Sequence, residues 1–237
     1  MRSILEELCD FDTALLANTI GYIDRTPAHE WYMGGSIQSV TPTLGPTVGI
    51  AITVEADTST PNNKADAAGY WQQLEQMSKM DVPTVWVVKS VGSRPDHECI
   101  IGDGMAKTLC SVGCLGLVTD GGVRDVKGLL TTGFAAYCKG TTIHHTALRF
   151  RRMNKPVKIG GITVKTGDVI HANDEGVIKL PAGCVDKLAE AAIRMRAFEH
   201  EAHLGLRRKD LSVEQKKKWV GDAIAKYGFA DCVTVKK

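Results

Sequence analysis

Nothing in the 237 residues spaces cysteines for zinc or dithiol chemistry. The seven thiols (Cys9, Cys99, Cys110, Cys114, Cys138, Cys184 and Cys232) form no C-x-x-C pair, which argues against a structural zinc and against thioredoxin-type exchange. Cys110 and Cys114, four apart on an expected helix, read as two small core residues. The pattern fits reduced thiols in a cytoplasm. No stretch approaches the roughly 18 apolar residues that a membrane span needs. The opening MRSILEELCDFDTALL mixes acids with apolar residues and reads as a helix, not a signal peptide. A surplus of one sign of charge is also missing: 29 basic against 27 acidic residues leave a net charge of +2, so neither nucleic acid nor a membrane is expected as a partner. The glycines form neither a Walker loop nor a dinucleotide fingerprint, because G-x-G-x-x-G counted from Gly102 meets Lys107 where its third glycine should be.

What is present is a globular composition, 43% hydrophobic and 24% charged, in a chain long enough to fold without a covalent staple. The pattern predicts a helix over Leu5–Ile20, a β-branched strand over Val48–Glu55 and a helix over Ala65–Met80 whose Trp71, Leu74 and Met77 face the core. An apolar strand over Val82–Val88 follows, then a helix near Gly104–Val112, a strand at Leu115–Thr119, a short helix from Arg124 and a strand at Phe134–Cys138. Between Val157 and Leu180, short β runs separated by Gly-containing turns predict small antiparallel hairpins. From Val185 onward the chain turns helical and charged. The expected organisation is an α/β core over residues 1–185 and a helical extension over 186–237.

The densest chemistry lies in Ile101–Leu129, IGDGMAKTLCSVGCLGLVTDGGVRDVKGL. It reads as two successive strand-to-helix turns. In the first, Gly102-Asp103-Gly104-Met105, free amides and the positive end of a helix invite a carboxylate or phosphate. The second, Asp120-Gly121-Gly122-Val123-Arg124-Asp125, offers a guanidinium for a planar carboxylate and an acid for a hard divalent cation. Ligands in α/β folds gather at strand carboxyl ends, so the two turns are expected to share a pocket. Taken alone the motif specifies anion binding and no particular reaction. An Asp in a first helical turn is favoured by the dipole in any case.

The run GDGMAKTLCSVGCLGLVTDGGVRDV resembles the RraA-like family, which includes the class II 4-hydroxy-4-methyl-2-oxoglutarate aldolases that also decarboxylate oxaloacetate. GIAITVE upstream and GDVIHANDEGVIKLP downstream extend the likeness over about residues 35 to 185. The resemblance implies a swivelling β/β/α sandwich, here with a C-terminal helical extension. It also implies a metal-dependent lyase that cleaves a C–C bond in 2-oxo acids through a pyruvate enolate. Carried over residue by residue, Gly102, Asp103, Gly104 and Met105 would receive the substrate carboxylate, and Arg124 would bind the 2-oxo acid and its enolate. Asp125 would ligate Mg²⁺ or Mn²⁺, with Asp103 holding a water on it. An acid from a neighbouring chain would complete the water shell, Glu199 first and Glu201 second, although both also read as solvated helix faces. Hence a homotrimer or homohexamer is implied.

Gly128 departs from the family, which often carries an acid there, and this puts the substrate identity in doubt. Some relatives are non-catalytic ribonuclease regulators, which supplies the competing function. An older methyltransferase label finds no S-adenosylmethionine loop here. Lys107 reads as a surface residue and not as a Schiff-base lysine. Among the histidines, His144 and His145 would point to opposite faces of a strand, and His200 and His203 share a helix face without a third ligand. His97 and His171 remain candidate pocket residues.

Overall fold

The structure is a computed structural model that describes residues 1–230; the C-terminal end of the expected extension, with Cys232, lies outside the described residues. In chain order the elements are α1 (Arg2–Leu8), α2 (Thr13–Ile23), β1 (Gln38–Ser39), β2 (Thr47–Asp57), α3 (Ala68–Ser78) and β3 (Thr84–Ser90). Next come β4 (Cys99–Ile101), α4 (Asp103–Ser111), β5 (Cys114–Thr119), β6 (Gly122–Val123), α5 (Val126–Thr132) and β7 (Ala135–Cys138). The chain closes with β8 (Arg149–Arg151), β9 (Val157–Ile159), β10 (Ile162–Val164), β11 (Val169–Asn173), β12 (Gly176–Leu180), α6 (Val185–Leu206) and α7 (Val213–Lys226).

The main sheet has the order β1-β7-β5-β3-β2-β11-β12, with β8 also on β2. β2, β3, β5 and β7 run parallel, whereas β11 joins β2 antiparallel. Alternation along the strands sorts side chains between two faces. Ile52, Val54, Trp86 and Val88 meet α3, α4 and α5 in one core, while Ala51, Val85, Val87 and Tyr137 meet the β9–β10 hairpin in another. Trp86 is fully buried and its indole N–H is satisfied by Gln73 Oε1 at 2.7 Å; Gln73 in turn donates to the Thr53 carbonyl at 2.7 Å. A buried amide of this kind is tolerated because its donors and acceptors are used.

Three expectations change. The single helix over Leu5–Ile20 is two, since Asp12 takes an extended conformation and accepts from Leu15 N at 2.7 Å, capping α2. Trp71 is 61% exposed. The buried stripe of α3 is instead Tyr70, Gln73, Leu74 and Met77, an i, i+3, i+4, i+7 pattern. Cys110 and Cys114 do not share a helix: Cys110 ends in α4 and Cys114 opens β5, although both reach the same core. α6 is packed on α1 and α2, with Leu188, Ala192 and Met195 burying against Leu5, Leu8 and Leu16. α7 starts at a reciprocal cap between Ser212 and Gln215. Among the described residues, no helix is long and apolar enough to cross a membrane. The six described cysteines are free thiols. Burial pushes Cys114 and Cys138 up to about 11 and Cys184 up to about 12, so they stay protonated.

His171 belongs to this core and not to a pocket. It is fully buried between Thr13 Oγ1, 2.9 Å from Nδ1, and the Leu8 carbonyl, 3.2 Å from Nε2. Burial holds its pKa down to about 4, below the ordinary 6.5, so the folded state binds fewer protons than the unfolded state between those values. Its stabilising contribution is therefore complete above pH 6.5 and is lost as pH falls through 4, on the order of 3 kcal/mol in total. Urea unfolding from pH 7 to pH 4 should show this loss. A His171→Gln variant, whatever its starting stability, should have a visibly flatter acid limb.

Candidate active site

β4 and β6 form a separate short parallel pair, with Cys99 beside Gly122 and Ile101 beside Val123. Each strand ends in a turn that opens a helix, α4 after β4 and α5 after β6. The two turns are tied together by Arg124 N, which donates to the Ile101 carbonyl at 3.0 Å. This brings the two glycine-rich motifs to one edge of the molecule.

Gly102 is what allows the close approach. A Cβ on this residue would stand 2.4 Å from Asp125 Oδ2 and 3.1 Å from Arg124 Nε. Its bare face is thus covered by the guanidinium and carboxylate that sequence reasoning singled out. Arg124 Nε and Asp125 Oδ2 are 3.6 Å apart, with side chains 36% and 47% exposed, so the pair is loose, wet and available to a ligand. Asp125 is the N-cap of α5 and adopts left-handed backbone angles, φ 57° and ψ 38°. Asp tolerates this region better than most residues. The strained cap is what turns its carboxylate back toward α4, where Asp103 N lies 3.4 Å from Asp125 Oδ2.

Asp103 sits in the first turn of α4, and Gly102, its N-cap, has no side chain to bond the first-turn amides. Amides of Asp103, Gly104 and Met105 have no partner within the helix for geometric reasons. The Met105 carbonyl accepts from the Tyr70 hydroxyl at 3.4 Å, fixing this turn against α3. Lys107 Nζ bonds Asp103 Oδ2 at 2.6 Å. That bond, with the Lys107 charge, the Gly104 amide and the Arg124 charge, holds the Asp103 carboxyl below its ordinary range despite some desolvation. Lys107 is on the surface, as expected. Its partnership with Asp103 was missed, though the i, i+4 spacing carries the signal. Asp103 and Asp125 border a cleft of about 480 Å³ with Val126, Lys127 and Gly128.

Gly128 has a steric cause. A Cβ there would lie 2.5 Å from the Asp103 Cβ, so α5 rests against α4 at the point where the acid of the resembled pattern would project. Glu199 and Glu201 lie on α6 and are engaged within the chain. Glu199 accepts from Asn18 Nδ2 at 2.9 Å; Glu201 accepts from Lys226 Nζ at 2.5 Å and from the Tyr227 hydroxyl at 3.0 Å, which lower its carboxyl pKa. Neither is brought to Arg124 or Asp125 within one chain. A larger cavity, about 640 Å³ between α6 and α7, is lined mainly by apolar groups with His200 and Glu201, and holds none of the strand-end chemistry.

His144 and His145 correct the sequence expectation: they occupy a loop, and their rings stack 5.7 Å apart at 9° instead of diverging. Sequence reasoning also missed Glu98. It is fully buried, accepts from Thr58 N at 3.1 Å and Ser59 Oγ at 2.9 Å, and is in hydrogen-bond contact with Ser90 Oγ. Burial raises its pKa. Its backbone carbonyl accepts from Gly122 N at 2.7 Å and Thr142 Oγ1 at 3.0 Å, so it anchors the start of β6.

The metal reading can be tested on the donor set. Asp125 and Asp103 supply hard carboxylate oxygens, and among the described residues no group of three His, Cys, Asp or Glu side chains is placed to hold an ion. Mg²⁺ commonly takes one or two protein carboxylates and fills its other positions with water and substrate. The two acids fit that mode.

A family model described as RraA-like, Aldolase/RraA, matches residues 13–179. A curated protein of Halalkalibacterium halodurans named "Putative 4-hydroxy-4-methyl-2-oxoglutarate aldolase" is 34% identical over 104 residues, 42% of this chain and 48% of that protein. The match thus spans about half the length of that relative. Among solved structures, an uncharacterized protein from Pseudomonas syringae superposes with a TM-score of 0.66 at 22% identity, covering 92% of this chain and 98% of the other. RraAS2 of Streptomyces coelicolor, titled an unusual member of the RNase ES inhibitor RraA protein family, gives 0.65 at 20% identity over 87% and 96% of the chains. These two likenesses show the fold.

Proposed function

The chain belongs to the RraA-like (Aldolase/RraA) family, and from that premise we propose that it is a divalent-metal-dependent carbon–carbon lyase acting on 2-oxo dicarboxylic or hydroxy-oxo acids. One observation carries the reading: Arg124 and Asp125 both close over the bare face of Gly102, beside the first turn of α4, whose Asp103 amide faces the Asp125 carboxylate.

The chemistry follows from charge. Breaking a C–C bond next to a 2-oxo acid leaves an enolate, whose oxygen needs a preorganised positive environment. The substrate carboxylate takes the Met105 amide and displaces the Asp103 carboxyl from the Gly104 amide, in the first turn of α4 where the helix dipole favours an anion. Arg124 faces the 2-oxo group and balances the negative charge that grows there as the bond breaks. Asp103, kept ionised by Lys107, is the group beside the cleft that can orient a water or receive the hydroxyl proton that starts retro-aldol cleavage. Asp125, with Asp103 behind it, would hold Mg²⁺ or Mn²⁺, which when bound supplies Lewis-acid polarisation of the substrate oxygens. Oxaloacetate decarboxylation leads to the same pyruvate enolate, so one site serves both reactions. In a homotrimer or homohexamer a neighbour's acid, Glu199 or Glu201, would face this cleft.

The test is pyruvate release from oxaloacetate by the purified chain with Mg²⁺, with Mn²⁺ and with chelator. A metal-dependent rate above that of the metal alone is expected. Enzyme-independent decarboxylation only, under all three conditions, would favour a non-catalytic ribonuclease-regulator-type role, for which the likeness to RraAS2 is the support.

A further inference from the structure

The carboxyl ends of the main sheet's parallel strands carry chemistry that the lyase reading leaves unused. Val88 of β3 lies beside Thr119 of β5, and Val118 of β5 beside Tyr137 of β7. One step further along, Lys89, Asp120 and Lys139 therefore fall in a row across the three strands. Strand alternation puts them on the face of Val87, Val118 and Tyr137, which packs against the β9–β10 hairpin. A cavity of about 420 Å³ opens there, lined by all three and by Lys158, Gly160 and Gly161 of the hairpin. Ligands of open α/β sheets collect at such strand ends. The cavity shares no residue with the Arg124–Asp125 cleft.

Charge is unbalanced along this row. The Asp120 carboxylate is turned toward β3, where it contacts Lys89 Nζ and accepts from Ser90 N at 2.8 Å. Lys139, on its other side, and Lys158 are exposed, and neither has an acidic partner among the described residues. Three ammonium groups and one carboxylate leave two positive charges around a common space. Neighbouring strands lie about 4.8 Å apart, so Lys89 and Lys139 start about 10 Å from each other, a gap that an ion held between two long side chains can bridge. Lysines serve phosphate as point charges, and a phosphate monoester carries about 1.5 to 2 negative charges at neutral pH. The ester thus matches the row in charge as well as in place. A second recess of about 150 Å³ adjoins, bordered by the same Asp120 and Lys139 and by Asp96, Gly121, Gly140 and Thr141. The Asp96 side chain is exposed and has no cationic partner among the described residues. Its carboxylate only accepts hydrogen bonds, so it repels a second anion and suits hydroxyl groups.

We propose that this row binds a small hydroxylated phosphate ester, with the phosphate among Lys89, Lys139 and Lys158 and the hydroxyls in the Asp96 recess. The proposal goes beyond the lyase reading and does not depend on it. The probe is ribose 5-phosphate, compared with inorganic phosphate and with ribose by calorimetric titration at fixed ionic strength. Ribose 5-phosphate should bind the wild type at least tenfold more tightly than either. Lys139→Ala and Lys158→Ala, both exposed changes, should keep the unfolding midpoint and weaken the ester at least tenfold. Asp96→Ala should bring the ester down to the level of inorganic phosphate. Arg124→Ala and Lys217→Ala should bind as the wild type does, since neither residue lines the site. The proposal is overturned if ribose 5-phosphate does not bind, or binds no more tightly than inorganic phosphate. Full affinity in Asp96→Ala, or in both lysine variants, overturns it too. So does a loss in Lys217→Ala equal to theirs, which would mean unspecific attraction to surface charge. A loss confined to Arg124→Ala has the same force, because it would place the ester in the cleft.

Discussion

Arg124→Ala is expected to lower kcat/KM for oxaloacetate about 10²- to 10³-fold, the scale of losing one preorganised stabiliser of a developing oxyanion, with little change in folding. The separation of effects follows from exposure. The Arg124 side chain is 36% exposed and its ion pair with Asp125 is 3.6 Å long, so the pair adds little to stability. The backbone link that joins the two turns runs through Arg124 N and survives truncation of the side chain. Arg124→Lys keeps the charge but not the planar fork, and should recover only part of the rate. Steady-state kinetics together with thermal unfolding decide the matter. A fall in kcat with an unchanged midpoint supports enolate stabilisation. A variant as active as the wild type would remove Arg124 from the chemistry.

The strand-to-helix turns were legible because their signals are local. Glycines, a first-turn Asp and β-branched runs lie within a few residues of each other, and the openings of α4 and α5 follow from them. The strand β6 does not, because Gly121-Gly122 reads as a plain turn and only pairing with β4 makes Gly122–Val123 a strand. What the sequence hid depends on tertiary contact. The left-handed cap at Asp125 looks like any Arg-Asp step, and the break between α1 and α2 is concealed by apolar residues on both sides of Asp12. Trp71 falls on the Leu74–Met77 row by spacing, but the edge of the stripe lies at Tyr70, so the larger aromatic residue faces solvent. Glu98, within the polar PDHE segment, gives no sign of burial; only the packing of Thr58, Ser59 and Ser90 around it does. Glu199 and Glu201 were placed by a resemblance that requires a second chain, and within one chain they serve α2 and α7 instead.

Gly128 turns a departure from the family into a measurable constraint. Restoring an acid by Gly128→Glu should fail to tune the site and should instead damage it. The first atom added, a Cβ, already lies 2.5 Å from the Asp103 Cβ, and neither atom is the end of a flexible side chain that can swing clear. α5 must therefore move away from α4, at a cost of about 1–3 kcal/mol by the usual scale of overpacking. The displacement falls on the residues that matter, because Asp125 caps α5 and Asp103 opens α4. The new carboxylate also adds negative charge beside Asp103, competing for Lys107. We expect a lower unfolding midpoint and at least a tenfold loss of pyruvate release, with Gly128→Ala showing most of the stability loss and a smaller part of the activity loss. If Gly128→Glu instead folds as stably as the wild type and works as well or better, α4 and α5 have room to part without disturbing Asp103 and Asp125. The steric account of this glycine would then be wrong, and with it the argument that the α4–α5 contact sets the spacing of the two carboxylates.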